Sequence, residues 1–328
     1  TGLATFALVA YPDTDPATEA AMKFFVFASV TGAIMIFGLS YWFGAAGSTL
    51  LADLPGMDTM PMAVIIGFVA VVIGLGYKAS LVPFHFWAPD AYEGGPLSIA
   101  AYLSVVPKIG ALFALAQVVR GLPPESGWTA VIAGLAVLTM TYGYLAALVQ
   151  DIVIRLLAYS SIAQSGYFLL GIVAVGSSKL ALTSVILFAA AYAAMNLGAF
   201  AVTAATGRVL DAFRGLGRAK PVTAIAMVVF LLSLVGIPPL AGFVGKFLLF
   251  AAGIDAQFTW LAVVAIANSV LSLAVYLRIV VPMYQQAATE FAPLGRSLGT
   301  VVVTTFAATL IIGLAAQFFL AGLVEWPA

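Results

Sequence analysis

Three lysines, Lys78, Lys108 and Lys246, lie well inside apolar segments of this 328-residue chain. A lysine at the centre of a lipid bilayer costs about 2.5 to 3.5 kcal/mol on insertion scales, so such residues need a specific reason to be there. A buried amine can release its proton near neutral pH, whereas a nearby carboxylate favours the protonated form. The chemistry that we predict for these lysines is proton transfer.

Snorkelling is the alternative, in which a lysine near a helix end reaches the lipid headgroups while its stem stays in apolar surroundings. It suits Lys78 best, since this lysine is nearest to a predicted helix break. The acidic residues fall in links or at helix ends, for example Asp90, Glu93 and Asp151. We therefore expect the acidic partner of the lysines in a preceding segment or in a neighbouring chain.

The single histidine, His85, stands beside the first predicted break. Histidine titrates near neutral pH, which suits proton transfer. A histidine next to a helix break is also often a cap or an interface residue. Both interpretations of His85 remain open at this point.

Polar side chains within the apolar segments could order water between the lysines. The main candidates are Ser160, Ser161, Gln164, Tyr192, Asn196, Asn268 and Tyr276, and further ones are Thr139, Thr141, Tyr142, Ser269 and Ser272. Such residues also form ordinary hydrogen bonds between helices in most membrane bundles. For any single one of them the structural role is favoured, and the hydrated path is a prediction about the set.

The composition determines which elements can position these residues. Hydrophobic residues make up 63% of the chain and charged residues 8%, against about 25% charged residues in soluble domains. Windows of about 19 residues predict spans near 18–44, 61–83, 96–119, 127–150, 156–176, 180–206, 219–252, 257–284 and 298–323, after an opening half-helix. The predicted fold class is an all-α polytopic membrane protein.

Two of these spans should be discontinuous, near 61–87 and 219–252. Lys78 precedes Pro83 in the first, and Pro238 and Pro239 precede Lys246 in the second. Proline removes a backbone donor and clashes with the preceding turn. The two breaks are five spans apart and reverse the order of lysine and proline, which favours two inverted five-helix repeats.

The predicted domains are 1–121, the end of a partial first repeat, 122–285, the second repeat, and 286–328, a C-terminal transmembrane helix. The opening TGLATFALVAY has no initiating Met and resembles the end of a helix, so we expect N-terminal helices before it.

Basic residues in the links fall mostly on one side if alternate links lie on alternate sides. That side has Lys23, Arg155, Arg208, Arg214, Arg218, Lys220, Arg278 and Arg296, and should be cytoplasmic.

Several types of site are not expected in this chain. It contains no cysteine, which excludes disulfides, iron–sulfur clusters and thiolate metal sites, and one histidine cannot build a haem or zinc site alone. The glycines form no phosphate-binding loop. We predict no cofactor, metal or nucleic acid bound to this chain.

Three motifs carry a resemblance to a known family. They are KASLVPFHFWAPDAYEGGP from Lys78, RLLAYSSIAQSGY from Arg155 and SLVGIPPLAGFVGKF from Ser233. The chain resembles the antiporter-like, proton-translocating subunits of respiratory complex I, NADH-quinone oxidoreductase, and most of all the subunit N group. The resemblance implies that Lys78 is the lysine of the first broken helix, Lys108 the connecting lysine and Lys246 the terminal lysine of the proton path.

The resemblance also implies a setting. The family's glutamate that pairs with the first lysine would lie just before Thr1, and the chain would neighbour subunits similar to M, K and J as well as lipids. NADH, FMN, iron–sulfur clusters and quinone would belong to partner subunits, in a bacterial or archaeal plasma membrane. Several family members have His where Gln164 stands, and because Gln cannot take up a proton, a relay made only of side chains is not expected there.

Rival functions follow from the same pattern. One is an Mrp-type cation/proton antiporter subunit, and another is a membrane subunit of a related hydrogenase or F420H2 dehydrogenase complex. A third is a helical spacer that conducts nothing, but such a spacer would have no reason to keep buried lysines that cost several kcal/mol each. We predict a translocase subunit without a redox site of its own.

Overall fold

The computed structural model describes residues 2–51, 53, 61–122, 127–286, 291 and 294–316. The α-helices within them are, in chain order, α1 (Gly2–Ala10), α2 (Asp15–Ala46), α3 (Pro61–Ala79), α4 (Trp87–Gly94), α5 (Leu97–Arg120), α6 (Trp128–Leu148), α7 (Val153–Val173), α8 (Ala181–Thr206), α9 (Leu216–Ala219), α10 (Pro221–Val235), α11 (Ala241–Asp255), α12 (Thr259–Met283) and α13 (Arg296–Leu314). One 3-10 turn, Leu210–Phe213, precedes α9. The all-α prediction is confirmed.

The long helices have the dimensions of membrane spans. Among the described residues, eight are long and apolar enough to cross a bilayer: α2, α3, α5, α6, α7, α8, α12 and α13. About 20 helical residues cross the hydrocarbon core, and a helix satisfies its own backbone hydrogen bonds there. The predicted spans agree with these helices within a few residues. The far end of the predicted span 298–323, from residue 317 on, lies outside the described residues.

Helix α7 is the centre of the bundle. In its most apolar stretch 94% of the residues are buried, compared with 78% in α8 and 11% in α2 and in α13. Helix α6 packs closely on α7 at Gly143, where a Cβ atom would lie 2.7 Å from the backbone nitrogen of Ala163. The outer helices expose apolar side chains that suit lipid or neighbouring subunits.

The first predicted break is confirmed. Helix α3 ends at Ala79 and α4 begins at Trp87, with Pro83 between them. The amide of Val82 donates a hydrogen bond to Thr139 Oγ1 on α6 at 3.1 Å, so a side chain takes the place of a helical partner. Thr139, a possible member of the hydrated path, thus also has a structural role.

The second break is also confirmed, since α10 ends at Val235 and α11 begins at Ala241. Gly236 stops α10 with a φ of +98°, a conformation that glycine adopts without strain. The amide of Gly242 donates to Ser233 Oγ at 3.0 Å. The division of the chain at 121 and 285 stays a prediction, and 317–328 of the third segment lies outside the described residues.

Four of the basic residues that were predicted to share one side of the membrane lie together at one end of the bundle. Asp90 on α4 pairs with Lys23 at 2.9 Å and with Arg155 at 3.0 Å. Arg208 donates to the backbone oxygen of Glu93 at 2.8 Å. Nearby, Arg278 donates to the backbone oxygen of Gln150, whose side chain accepts from Arg155. The predicted sorting of these four basic residues to one side agrees with their positions.

Candidate functional site

The Lys246 side chain runs from α11 to the broken end of α10. It is 2% exposed. Its Nζ atom donates to the backbone oxygens of Leu234 and Val235, at 2.9 and 3.1 Å, and to Ser269 Oγ at 3.3 Å. An ammonium group has three donors, and all three have acceptors here. Because the break leaves the last carbonyls of α10 without helical partners, the negative end of this helix faces the cation.

Tyr167 contacts the same ammonium group from α7. Nζ of Lys246 lies 3.9 Å from the centroid of the Tyr167 ring, within cation–π range. The Tyr167 hydroxyl also hydrogen-bonds Ser269 Oγ at 2.9 Å and donates to the backbone oxygen of Ala265 at 3.1 Å. Tyr167 therefore touches Lys246 directly and also holds one of its acceptors.

Lys108 on α5 has fewer hydrogen-bond acceptors around its amine than Lys246. It is 1% exposed, and its Nζ donates to Ser161 Oγ at 2.5 Å. The Tyr92 ring lies 5.8 Å away. Ser161 is the one hydrogen-bond acceptor of Lys108 within the part of the chain described. Lys108 and Lys246 are thus both buried inside the bundle. A snorkelling lysine would reach the surface, so burial contradicts that interpretation for these two residues. The groups around the two amines differ.

A set of polar groups on α7, α12 and α10 lies between the two lysines. We call Ser160, Ser161, Gln164, Tyr276 and the Leu234 carbonyl the polar column. Ser160 Oγ and Tyr276 Oη are 2.6 Å apart. Gln164 Nε2 donates to the Leu234 oxygen at 3.0 Å and lies 3.4 Å from Tyr276 Oη. The Leu234 oxygen in turn accepts from Lys246.

The polar column has one interruption. Ser160 and Ser161 are consecutive on α7 and so point about 100° apart. Ser161 faces Lys108, whereas Ser160 faces Tyr276. In the described residues no hydrogen bond joins the two serines. Proton transfer along the column would need water or side-chain rotation at this step.

Three other predicted candidates bind neighbouring helices instead of a lysine. Tyr192 on α8 donates to the backbone oxygen of Ser104 at 2.9 Å, and Asn196 donates to Ser104 Oγ at 2.6 Å. Ser104 lies one turn before Lys108 on α5. Asn268 on α12 donates to Thr141 Oγ1 on α6 at 3.2 Å. These bonds fix helix positions around the column, which is the structural role named as their alternative.

Lys78 is exposed and stands apart from the polar column. It occupies the last turn of α3 and borders a cleft of about 360 Å³ whose walls include Phe24, Tyr102 and Pro107. No described residue forms a hydrogen bond or ion pair with it. The structure therefore does not bring Lys78 to Lys108 through side-chain hydrogen bonds.

His85 is buried in an aromatic contact beside the first break. Its ring centroid lies 4.6 Å from that of Phe86 and 4.7 Å from that of Tyr142. His85 Nδ1 has no hydrogen-bond partner in the described residues. Its role in proton transfer stays a prediction.

Comparison with known proteins identifies the family. A model described as NADH:quinone oxidoreductase/Mrp antiporter, TM, matches residues 1–272. The chain belongs to this family. It is 40% identical to F(420)H(2) dehydrogenase subunit N of Methanosarcina mazei, over 95% of this chain and 68% of that protein. It is 42% identical to NADH-quinone oxidoreductase subunit N of Desulfovibrio desulfuricans, over 89% of this chain and 63% of that protein. The chain spans about two thirds of the length of these relatives.

Solved structures agree with this family assignment. A chain of respiratory complex I from Thermus thermophilus is 34% identical and superposes with a TM-score of 0.87 over 98% of this chain and 72% of its own length. A chain of an archaeal membrane-bound sulfane sulfur reductase is 26% identical, with a TM-score of 0.87 over 99% of this chain and 68% of its own. An Mrp complex from Dietzia, at 22% identity and a TM-score of 0.84 over 95% of this chain and 68% of its own, shows the shared fold alone. The antiporter-like fold prediction is confirmed.

Two tyrosines of this family member were missed as site residues in the sequence. Tyr167 ends the motif RLLAYSSIAQSGY and follows Gln164 by three residues, so the two share a helix face. That spacing was an available signal. Tyr144 lies 3.0 Å from Gln164 Nε2 across the α6–α7 contact, and nothing local in the sequence indicates this pairing.

Proposed function

We propose that this chain is a proton-translocating subunit in the membrane arm of an NADH-quinone oxidoreductase type of complex. The observation that carries the proposal is the burial of Lys108 and Lys246 on either side of the polar column. Each is almost fully enclosed, and each has a titratable amine within hydrogen-bond reach of that column. A membrane bundle keeps charges at such a cost where ions or protons move.

The two lysines are suited to different steps. Lys246 has three hydrogen-bond acceptors and an aromatic face around its amine. Lys108 has a single hydroxyl as its acceptor among the described residues. A proton that passes from Lys108 to Lys246 would move from an amine with one hydrogen-bond acceptor to an amine with three. Reversing that order needs a change in the surrounding charge, which partner subunits can supply.

Water is the proposed carrier across the interruption in the polar column. Seven buried side-chain atoms have no protein partner in the described residues: Gln164 Oε1, Asn196 Oδ1, Asn268 Oδ1, His85 Nδ1, Ser80 Oγ, Trp128 Nε1 and Thr206 Oγ1. Buried polar atoms are nearly always hydrogen-bonded, and ordered water often provides the bond. A hydrated path past these atoms would not require Gln164 to take up a proton.

Lys78 is proposed as the lysine that responds to the redox reaction. It is the one charged residue among those lining its cleft. A carboxylate brought into this cleft would pair with the Lys78 ammonium, and its withdrawal would leave that charge unpaired. We propose that redox chemistry with NADH, FMN, iron–sulfur clusters and quinone takes place in partner subunits. The assembled complex would lie in a bacterial or archaeal plasma membrane, with other membrane-arm subunits as neighbours.

The electron donor is a separate question from proton transfer in this chain. The relative from Methanosarcina mazei carries the name of an F(420)H(2) dehydrogenase subunit. An Mrp-type antiporter function has weaker support, because likeness to the Dietzia complex concerns the fold. Pumping that depends on the donor reaction in purified complex would favour a redox-driven subunit over a free antiporter.

The deciding experiment compares Lys108→Ala and Lys246→Ala in the assembled complex. Quinone reduction and proton uptake into or release from vesicles would be measured together. We expect assembly to persist while pumping falls at least tenfold. Lys179→Ala, at an exposed link position, is the matched control. Unchanged pumping in both buried-lysine variants would overturn the proposed function.

A further inference from the structure

The surroundings of Lys246 contain no acidic partner in the described residues. Helices α7, α8, α10, α12 and α13 all pack against α11, which carries Lys246. None of these five helices contains Asp or Glu, and the acidic residue of α11 itself, Asp255, is the last residue of that helix and accepts from Ser178 Oγ at 3.1 Å. Their titratable side chains are Arg155, Tyr159 and Tyr167 on α7, Tyr192 on α8, and Tyr276, Arg278 and Arg296 on α12 and α13. Only Tyr167 among these contacts the ammonium.

Neutral groups must therefore hold the cation. The carbonyls of Leu234 and Val235 are fixed by the helix end, and their number cannot be changed by a side chain. The other two contacts, the Tyr167 ring and Ser269, both depend on Tyr167. A ring face at 3.9 Å in a desolvated place is among the stronger cation–π geometries.

Tyr167 also packs against the helix that carries the lysine. Its ring centroid lies 6.4 Å from that of Phe250 on α11, one turn after Lys246, and 6.4 Å from that of Phe188 on α8. The side chain is fully buried. Tyr167 thus packs against α11 and also contacts the Lys246 ammonium that this helix carries.

We propose that Tyr167 is a positioning residue for Lys246, which holds the ammonium against the end of α10 through its ring face and through Ser269. The inference rests on the proposed proton transfer through Lys246. It adds that an aromatic ring, in place of a carboxylate, is the side chain that stabilises the positive charge of Lys246. The pH range over which the complex pumps should then depend on the electron density of that ring.

The experiment first varies the ring at nearly constant size and then removes it. Tyr167→Phe removes the hydroxyl and keeps the ring, and fluorinated phenylalanines introduced at the same position weaken the ring's attraction for a cation in steps. Tyr167→Leu removes the ring altogether. The matched control is Phe168→Leu, since Phe168 is the next residue on α7, is equally buried, and packs on Phe188 without touching Lys246. Proton pumping would be measured against pH in the assembled complex.

We expect the alkaline limb of the pumping profile to move to lower pH as the ring loses electron density, by about one pH unit for Tyr167→Leu. Phe168→Leu should leave that limb in place. Equal profiles across the fluorinated series, or an equal shift in Phe168→Leu, would overturn the positioning role. Lys246→Ala distinguishes a failure of the positioning role from a failure of the proposed function. If it abolishes pumping while the Tyr167 series is flat, only the positioning role fails. If both Lys246→Ala and Lys108→Ala pump normally, the proposed function itself fails.

Discussion

Gln164 and Lys246 donate hydrogen bonds to the same carbonyl oxygen, that of Leu234, at 3.0 and 2.9 Å. The oxygen is free to accept both because α10 stops at Val235. A side chain from the central helix α7 therefore shares an acceptor with the buried lysine of α11. The helix break connects the middle of the polar column to Lys246.

Replacing Gln164 should disturb both ends of this connection. Gln164→Leu keeps the size of the side chain and removes the donors to Tyr144 and to the Leu234 carbonyl. The Leu234 oxygen keeps Lys246 as a donor, but the loss of the two buried hydrogen bonds of Gln164 costs about 1 to 3 kcal/mol. We expect a lower unfolding temperature of the purified complex and slower pumping at an unchanged rate of quinone reduction. Gln117→Leu, at an exposed position on α5, serves as the control, and an equal effect there would contradict the prediction.

Ser161 should matter more than the other serines of α7, since it is the acceptor for Lys108. A hydrogen bond to a charged group contributes about 1.5 to 3 kcal/mol, so Ser161→Ala should slow pumping by about tenfold or more. Ser165→Ala is the matched control, because Ser165 Oγ bonds only the backbone of its own helix among the described residues. Pumping per quinone reduced would be measured for both variants. Similar rates in the two would mean that Lys108 does not use Ser161.

Lys246→Arg separates the need for a positive charge from the need for proton release. Arginine keeps the charge but does not lose its proton at accessible pH. We expect the variant to assemble and to pump as poorly as Lys246→Ala. Proton movement into vesicles, with quinone reduction as the internal standard, provides the readout. Normal pumping by the arginine variant would show that charge alone suffices at this position.

The sequence was sufficient to predict the spans and both breaks, because apolar length and proline act locally. Pro83 and the Pro238–Pro239 pair lie between helix ends as expected. The burial of Lys108 was also predictable, since it lies at the middle of its predicted span, 96–119. These features need no knowledge of which helices are neighbours. Lys246 lies nearer to the end of its own span, 219–252, so its distance from that end alone does not explain its burial.

The acceptors of Lys246 could not be predicted in the same way. Two of them are backbone oxygens at a helix end, which have no signature in the sequence. The position of Tyr167 over the ammonium depends on how α7 packs against α11. The separation of Lys78 from Lys108 has a similar cause, because the directions of side chains on α3 and α5 follow from packing.

Asp90 on α4 should make the stability of the fold sensitive to acid. Burial by itself would raise the pKa of Asp90, but the hydrogen bonds from Lys23 and Arg155 outweigh it and hold that pKa below its ordinary value. A carboxyl with a lowered pKa stabilises the fold above its unfolded pKa, and this contribution is lost as the pH falls through the folded pKa. The unfolding temperature of the wild-type complex should therefore decrease on acidification.

Asp90→Asn tests that contribution. The variant should be less stable than wild type at neutral pH, and the difference should shrink as the pH is lowered, since the wild-type carboxyl then also becomes neutral. Thermal unfolding measured at a series of pH values checks this. Asp211→Asn is the control, because Asp211 is 83% exposed and pairs with Arg214 three residues away. A constant difference between wild type and Asp90→Asn at every pH would mean that Asp90 acts through its shape and hydrogen bonds and not through its charge.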